Sequence, residues 1–264
     1  MPVISQTLDG VTVLTIDRPS RRNALDMEMW RGLRDAANAV EGTTRVVIVT
    51  GSGAHFCSGL DLSPDNPLFQ AAAPAIADGD EQAARRVITE LKGCVQALAD
   101  LPCPTIAAIE GACIGGGLEV ALACDMRFAA ADASLGLLEV RIGMIPDLGG
   151  CARLTRLVGP GRAADLICTA RRVDGDEAFR LGVVERVVPA GTALAVARRA
   201  AQDIVGNGPM AVQLALGAVR MSADLGLIEA LSVETRAGVL ALTSGEPREG
   251  VAAFLEKRAP RWNR

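Results

Sequence analysis

Three acidic residues in the middle of the chain stand beside apolar runs and glycine turns: Glu119, Glu139 and Asp147. A carboxylate buried among apolar side chains is costly unless it is paired or has a function. Burial and neighbouring acids also raise the pKa of a carboxyl group, which suits it to general acid or base catalysis. Taken singly, each acid is better explained by structure, for example as a stabilising acid in the first turn of a helix. Together the three point to a catalytic site.

A run of glycines, Gly115 to Gly117, lies where a predicted strand meets a predicted helix. Glycines at the start of a helix expose backbone N–H groups that lack partners within the helix, at the positive end of its dipole. Such donors suit a phosphate or a developing oxyanion. The G-x-G-x-x-G spacing of a dinucleotide site is missing here. Considered alone, the motif is explained equally well by close packing of the helix against the strand.

A second glycine turn, formed by residues 58–61, follows a predicted buried strand and could point backbone N–H groups into a cleft. Considered alone, it is better explained as an ordinary turn. His55 is the one histidine of the chain, and together with Ser58 it suggests the Ser/His pair of a hydrolase. The two residues are close neighbours in one loop, however, and no G-x-S-x-G elbow is present, which disfavours that chemistry.

The elements that must position these residues follow from the alternation of β-branched runs, glycine turns and amphipathic stretches through Val187, which predicts an α/β fold. Asp26 is predicted to cap a helix that continues through Ala37. Residues 62–80, with several prolines, are predicted to form a mobile loop or cap, and residues 193–264 to form helices only. The other predicted elements are strands at 12–17, 44–50 and 105–109, a helix at 81–99 and a helix beginning near Leu118.

Bulk composition narrows the class of protein. The chain has 264 residues, half of them apolar, and a net charge of −4, which favours one large domain with a substantial buried core. A mildly acidic chain with few aromatic residues and no basic block is a poor candidate for nucleic acid binding. The N-terminus predicts no secretory signal, and no apolar run reaches the length of a membrane span. We therefore expect a cytoplasmic protein.

The cysteines are spread singly, and none forms a C-x-x-C pair. Because the chain has one histidine, this pattern disfavours a zinc site. We expect reduced, mostly buried thiols. The cysteines are Cys57, Cys94, Cys103, Cys113, Cys124, Cys151 and Cys168.

In their order and spacing, several motifs along the chain resemble the crotonase superfamily, also called the enoyl-CoA hydratase/isomerase family. Each motif is weak singly, but together they are specific and cover essentially the whole chain. The motifs are Asp17-Arg18-Pro19 with Arg22-Asn23-Ala24-Leu25, Phe56-Cys57-Ser58-Gly59-Leu60-Asp61, Gly115-Gly116-Gly117-Leu118-Glu119, Ala123-Cys124-Asp125, the segment 143–150 and the tail 248–258.

The resemblance implies an α/β, crotonase-like fold of repeated ββα units. It divides the chain into a core, residues 1–192, with the CoA and active sites, and a C-terminal helical region, residues 193–264, that builds a homotrimer or a dimer of trimers. The implied substrate is an acyl-CoA thioester. No metal and no separate cofactor are implied, because coenzyme A is part of the substrate.

The resemblance also implies binding sites. By position, the backbone N–H groups of Ser58 and Gly116 should form an oxyanion hole for the thioester oxygen. Arg18, Arg21 and Arg22 become candidate neighbours of the nucleotide phosphates, although a solvated turn also explains them. The residues expected to contact the CoA moiety are Arg22, Asn23, Ala24, Leu25, Ser58, Gly59, Leu60, Asp61 and, from an adjacent subunit, Lys257.

The acids decide the reaction that the resemblance implies. In a hydratase, Glu119 would deprotonate the water that attacks C3 of a trans-2-enoyl-CoA, and Glu139 would deliver a proton to C2. Asp147 stands where hydratases usually carry glycine and resembles the isomerases of 3,5-dienoyl-CoA or 3-enoyl-CoA, in which Glu139 and Asp147 would pass a proton between carbons. Dienoyl isomerases typically have aspartate at the position of Glu119.

Three functions therefore remain open. Hydration is preferred, because the chain carries the hydratase pair of glutamates, and double-bond isomerisation is the alternative. A protein that binds acyl-CoA without catalysis is the third, and it is disfavoured because a binding module has no use for costly buried carboxylates.

Overall fold

Runs of valine, isoleucine and threonine form the strands in the computed structural model, which describes residues 3–262. Within them, a six-stranded sheet has the order β1-β2-β3-β4-β6-β8, and β5 pairs with β7 in a second, smaller sheet. β1 is antiparallel to β2, and the other paired strands are parallel. The strands are β1 Val3–Leu8, β2 Val11–Ile16, β3 Val46–Gly51, β4 Thr105–Ile109, β5 Ala112–Ile114, β6 Met126–Ala130, β7 Ser134–Gly136 and β8 Arg186–Val188.

The helices surround the two sheets. The predicted helix at 81–99 is confirmed, and the helix predicted near Leu118 begins two residues earlier, at Gly116. The predicted cap is also confirmed, because the Asp26 side chain accepts a hydrogen bond from the Met29 N–H at 2.9 Å. The helices are α1 Met27–Asn38, α2 Pro67–Asp78, α3 Glu81–Ala99, α4 Gly116–Ala123, α5 Gly150–Val158, α6 Pro160–Thr169, α7 Gly175–Leu181, α8 Ala193–Val205, α9 Pro209–Ser222, α10 Leu227–Thr243 and α11 Glu246–Leu255.

The central strands are buried on both faces, as their continuous apolar runs predict. Successive side chains of a strand point to opposite faces. In β3, Val46 and Ile48 therefore pack with α8 on one side, while Val47 and Val49 join the larger core of α1, α3 and α4 on the other. This double layer holds the carboxyl ends of β3 and β4 in fixed relation. The glycine turn at 58–61 comes after β3, and β5 connects β4 to the glycine run at 115–117.

The repeated ββα units are visible in the pairing of the smaller sheet. β4 belongs to the large sheet, β5 to the small sheet, and α4 follows directly. β6 and β7 repeat the same change of sheet. An isolated parallel bridge between Cys57 and Cys113 adds the segment after β3 to the small sheet. Both glycine turns are thus attached to one scaffold.

The prediction of an irregular loop over residues 62–80 is wrong, because α2 occupies most of it. Asn66 caps the helix by accepting a hydrogen bond from the Leu68 N–H at 3.0 Å, and Pro67 stands at its start, where proline is favourable. Gly79 ends the helix in a left-handed conformation. Pro74 lies inside the helix, and it misled the prediction because proline usually breaks a helix interior.

The described part of the C-terminal region contains helices and no strand, as predicted. α8 packs on the large sheet, and Ala193, Ala197 and Ala201 are buried there. Apolar side chains on the later helices remain exposed, with Ile228 81% and Phe254 82% accessible. The division of the chain at residue 192 stays a prediction. Among the described residues, no helix combines the length and the apolar character needed to cross a membrane.

Candidate active site

The glycine run joins β5 to α4 and leaves one N–H group unpaired. Gly115 adopts a left-handed φ of 54°, and Gly116 is the first residue of α4, so its N–H has no helical partner. No other residue of 3–262 accepts a hydrogen bond from it. Packing also requires glycine here, because a Cβ at Gly117 would lie 2.5 Å from the Cys57 carbonyl oxygen. Both explanations of the motif therefore hold.

The prediction that the Ser58 N–H is the second donor of the oxyanion hole is wrong. This N–H donates a hydrogen bond to the Arg22 carbonyl oxygen at 3.0 Å and is therefore unavailable to a ligand. The Leu25 N–H donates to the Gly59 carbonyl oxygen at 2.8 Å. In a planar trans peptide the N–H points away from the C=O. The Leu60 N–H consequently points away from Leu25, and no acceptor for it exists within the described residues.

The unpaired Leu60 and Gly116 N–H groups lie close together. A Cβ at Gly116 would be 3.9 Å from the Leu60 nitrogen, and a Cβ at Gly59 would be 3.4 Å from the Gly116 nitrogen. Gly59 has a φ of 91°, and its lack of a side chain permits this approach. Two N–H donors that converge from two loops have the form of an oxyanion hole.

Glu119 lies in the first turn of α4 and is 2% exposed. Its Oε1 atom accepts hydrogen bonds from the Leu148 and Gly150 N–H groups, each at 2.8 Å. Burial raises the pKa of Glu119 to about 8 and outweighs the Gly150 and Leu148 donors, which lower it. The charges of Glu139 and Asp147 raise it further. Glu119 is therefore a buried acid held in place by backbone donors.

Glu139 begins a 3₁₀ turn over Glu139–Ile142. Both of its carboxyl oxygens are buried and have no hydrogen-bond partner among the described residues. A Cβ at Gly115 would lie 3.0 Å from Glu139 Oε1, so the carboxyl group faces the start of α4. Burial raises the pKa of Glu139, and the charge of Asp147 adds to this effect. An acid without partners is poised to exchange a proton with a ligand.

Asp147 completes the group of acids that the sequence singled out. It precedes Leu148, whose N–H binds Glu119. Burial raises the pKa of Asp147, and Lys92 opposes this shift. The structure therefore brings all three predicted acids together, and each of the two glutamates is coupled to Asp147.

The residues predicted to contact CoA fall into two groups. Arg22 and Lys257 are exposed, and their predicted contacts stay predictions. The Asn23 side chain is fully buried and donates to the His55 carbonyl oxygen at 2.7 Å. Asp61 is buried and forms an ion pair with Arg18, so neither Asn23 nor Asp61 presents a free side chain to a ligand. Arg18 is engaged in the same way and is not a free cation for a phosphate.

The other residues predicted to contact CoA belong to two short segments, residues 22–25 and 58–61. Ala24 and Leu25 are buried, Gly59 is buried, and Ser58 and Leu60 are half-buried. The parallel bridge between Leu25 and Leu60 brings the two segments side by side. A ligand that follows these segments would therefore meet mainly backbone atoms.

Glu119→Gln should change how the free energy of unfolding depends on pH, because it removes a buried carboxyl group that titrates. Because burial raises the pKa of Glu119 to about 8, the folded protein keeps a proton that the unfolded chain releases near pH 4.3. The stability that Glu119 contributes is thus fully present below about pH 4.3 and is lost as the pH rises through about 8. Glutamine keeps the Oε1 acceptor and does not titrate. In urea titrations at successive pH values, the variant should gain stability relative to the wild type across this window, and parallel curves would contradict the shift.

Comparisons with known proteins identify the family of this chain. A family model described as enoyl-CoA hydratase/isomerase matches residues 6–264. A putative enoyl-CoA hydratase/isomerase of Bacillus subtilis is 38% identical over 253 residues, covering 95% of this chain and 93% of that protein. A crotonyl-CoA hydratase of Syntrophomonas wolfei is 35% identical, covering 97% and 95%. The crystal structure of an enoyl-CoA hydratase from Bacillus anthracis matches with a TM-score of 0.89 at 36% identity, covering 99% of both chains. The chain therefore belongs to the enoyl-CoA hydratase/isomerase family of enzymes, the crotonase superfamily.

Proposed function

We propose that this enzyme adds water across the double bond of a trans-2-enoyl-CoA. The observation that carries this proposal is a pair of glutamates around the start of α4, where the Gly116 N–H is unpaired. Glu119 is buried, the carboxyl oxygens of Glu139 are buried, and burial raises the pKa of both. A pair of acids supplies the base and the acid that hydration needs. The unpaired amides supply the charge stabilisation that an enolate needs.

The proposed mechanism moves two protons. The thioester oxygen lies between the Leu60 and Gly116 N–H groups, each of which stabilises the enolate by about 3 kcal/mol. Glu119 takes a proton from water as the water oxygen bonds to C3, and the electron pair of the double bond passes to the thioester oxygen. Glu139 then donates its proton to C2, the carbonyl reforms, and the exchange of one proton between the carboxyl groups and solvent restores the starting state.

The chemistry sets the protonation state that the free enzyme must have. Glu139 has to be protonated and Glu119 ionised when water attacks. Burial and mutual repulsion keep at least one proton on such a pair near neutral pH. Because the pKa of Glu119 is raised to about 8, much of the free enzyme carries a proton on Glu119 near neutral pH. The Leu148 and Gly150 N–H groups lower this pKa by stabilising the charged form, so the fraction with Glu119 ionised grows as the pH rises towards 8.

A second candidate function, a double-bond shift in 3-enoyl- or 3,5-dienoyl-CoA, rests on Asp147. Burial raises the pKa of Asp147, and the negative charge of Asp147 raises the pKa of Glu139. Glu139 and Asp147 could therefore remove a proton from one carbon and return it to another without adding water. The enolate formed on the way would use the same two N–H groups.

Asp147→Asn separates the two functions. Asparagine suits this change better than glycine, since it preserves the backbone conformation next to Leu148, whose N–H holds Glu119. We expect the variant to hydrate crotonyl-CoA with kcat within a few-fold of the wild type, and to lose any isomerisation of 3-enoyl- or 3,5-dienoyl-CoA by about 10²-fold or more. Absorbance of the conjugated thioester measures both reactions. A matching loss of hydration would make isomerase chemistry, with Asp147 as a reacting group, the better assignment.

The wild-type enzyme tests the function directly with the same three substrates. Loss of conjugated crotonyl-CoA supports hydration, and activity with only the other two supports isomerisation. Binding of CoA thioesters without turnover would support an acyl-CoA-binding protein. The proposed reaction uses no cofactor besides the CoA moiety of the substrate.

The C-terminal helices support the further proposal that the enzyme is a homotrimer or a dimer of trimers. Ile228 and Phe254 are among the most exposed large apolar side chains of the described chain, and burial of such side chains drives association. Lys257 follows α11 and could then contribute to a neighbouring CoA site. Analytical ultracentrifugation gives the number of subunits. The cytoplasmic location expected from the sequence stays part of this proposal.

A further inference from the structure

Every polar group of Asp61 is engaged inside the protein. Its carboxylate accepts hydrogen bonds from the Arg18 guanidinium at 2.6 Å and from the Ser63 N–H at 2.9 Å. Its N–H donates to the Leu25 carbonyl oxygen at 3.0 Å, and its carbonyl oxygen accepts from the Asn66 side chain at 2.7 Å. Burial raises the pKa of Asp61, but hydrogen bonds from Ser63 and Arg18 outweigh burial and lower it to about 2. Asp61 is thus a fixed carboxylate immediately after Leu60.

Arg18 joins the two segments that set the direction of the Leu60 N–H. Its Nη1 atom contacts Asp61 Oδ2 at 2.6 Å and the Ala24 carbonyl oxygen at 3.2 Å. The residues that follow, Leu25 and Leu60, form the parallel bridge in which the Leu25 N–H binds the Gly59 carbonyl oxygen. The guanidinium therefore acts across the same pair of segments that orients the Gly59–Leu60 peptide plane.

We propose that Arg18 and Asp61 are positioning residues that hold the Leu60 N–H at the angle needed to receive the thioester oxygen. The inference rests on the proposed function, because it assumes that this N–H is an oxyanion donor. Asp61 is 7% and Arg18 27% exposed at the side chain. Without the Asp61 carboxylate, Arg18 keeps, among the described residues, only Asp26 at 3.3 Å and the Ala24 carbonyl oxygen as partners. The guanidinium then no longer ties the segment of Leu60 to that of Leu25, so the local structure must adjust. A small displacement of a catalytic donor is enough to slow a reaction strongly.

Asp61→Asn tests the proposal, and Asp26→Asn is its matched control. Asp26 lies 3.3 Å from the same Arg18 nitrogen and is more exposed, at 23%. Asparagine at position 26 can still cap α1, so the control changes one contact of Arg18 without touching the bridge. We expect Asp61→Asn to lower kcat by about 10- to 100-fold with KM changed by less than about threefold. The control should keep both constants near the wild-type values.

A spectroscopic measurement reports on the oxyanion hole itself. Cinnamoyl-CoA absorbs at longer wavelength when donors polarise its thioester carbonyl, so its shift on binding measures the alignment of the Leu60 N–H. We expect Asp61→Asn to bind cinnamoyl-CoA but to lose about half of the wild-type shift, whereas Asp26→Asn keeps it. Arg18→Lys, which retains the charge but cannot reach two acceptors in one plane, should fall between them. It also provides the test if Asp61→Asn does not fold.

The outcomes separate this inference from the proposed function. Unchanged kcat and an unchanged shift in a folded Asp61→Asn, or a loss confined to KM, would overturn the positioning role. If the wild type neither turns over any of the three substrates nor shifts cinnamoyl-CoA, the proposed function fails. In that case amide hydrogen exchange across residues 57–62 still decides the positioning role. Faster exchange in Asp61→Asn than in Asp26→Asn supports it, and equal exchange overturns it.

Discussion

Glu119→Gln is expected to lower kcat for the hydration of crotonyl-CoA by about 10³-fold while the protein remains folded. Glutamine keeps an oxygen at the position that accepts hydrogen bonds from the Leu148 and Gly150 N–H groups, so the loop before α5 should stay in place. What it cannot do is take a proton from water. The loss should therefore appear in kcat, with little change in KM, because the binding of the thioester does not depend on the carboxylate.

Glu110→Gln is the matched control for this change. Glu110 also receives two backbone N–H groups on its carboxylate, from Gly191 at 3.0 Å and Ala193 at 2.8 Å, but these lie at the start of α8. The two donors to Glu110 use different carboxyl oxygens, so glutamine can keep only one of these hydrogen bonds. Even with this structural loss, kcat should stay near the wild-type value, because Glu110 takes no part in the proposed reaction. A comparable loss in both variants would mean that the effect of Glu119→Gln is structural. A Glu119→Gln enzyme with full hydratase activity would remove Glu119 from the mechanism altogether.

The same variant also distinguishes the two candidate reactions. Glu139 and Asp147 are untouched in Glu119→Gln, so a proton shift between carbons should continue if the wild type catalyses one. Loss of hydration with retention of isomerisation would show that the two reactions use different acids around one enolate. Loss of both would indicate that Glu119 has a part in each.

Much of this site could be predicted from sequence, because its parts are local. A β-branched run such as Val46–Val49 identifies a buried strand, and acids beside apolar runs, such as Glu119 and Glu139, identify costly carboxylates wherever the chain places them. The three acids lie together because the 3₁₀ turn at Glu139 and the loop before α5 both meet the start of α4, which the fold and not the local pattern decides. Gly116, by contrast, has an unpaired N–H for a local reason, because the first residue of any helix lacks a partner.

The contacts that depend on distant parts of the chain could not be predicted. Arg18 and Asp61 are 43 positions apart, and each alone resembles a solvated or ligand-binding residue. Asn23 misleads in the same way, since only the fold reveals that its amide is enclosed by carbonyl oxygens. Pro74 misled the prediction for residues 62–80 because the favourable ends of α2 decide that helix in spite of it.

The change from Ser58 to Leu60 as the second donor has a related cause. In a regular extended segment the N–H groups of residues 58 and 60 would point the same way, because the direction alternates from one residue to the next. The φ of 91° at Gly59 breaks this alternation, so the Ser58 N–H faces Arg22 whereas the Leu60 N–H faces away from Leu25. Residues 58 and 60 both belong to the correct turn, and sequence spacing does not choose between them. The bridge from Leu25 does, because it fixes the Gly59 carbonyl on one side and the Leu60 N–H on the other.

Replacing the Gly59–Leu60 amide by an ester, with the hydroxy-acid analogue of leucine at position 60, should therefore lower kcat by about 10²- to 10³-fold. The ester removes the N–H and keeps the side chain. Because this N–H has no acceptor among residues 3–262, its loss breaks no internal hydrogen bond and should cost little stability. The effect should appear in kcat more than in KM, since the charge on the thioester oxygen develops in the transition state.

An ester at Ser58 is the matched control, because it removes the N–H that donates to the Arg22 carbonyl oxygen. It should cost about 1 kcal/mol of stability, as the loss of one internal hydrogen bond does, and leave kcat within a few-fold. Both esters also weaken a carbonyl acceptor, that of Gly59 for the Leu25 N–H and that of Cys57 for the Ile114 N–H. Each ester variant therefore weakens one carbonyl acceptor, so this effect does not account for a difference in kcat between the two variants. If the Ser58 ester were the slow enzyme and the Leu60 ester the normal one, the oxyanion would lie on the opposite face of the bridge, and the direction of the Leu60 N–H would have no part in catalysis.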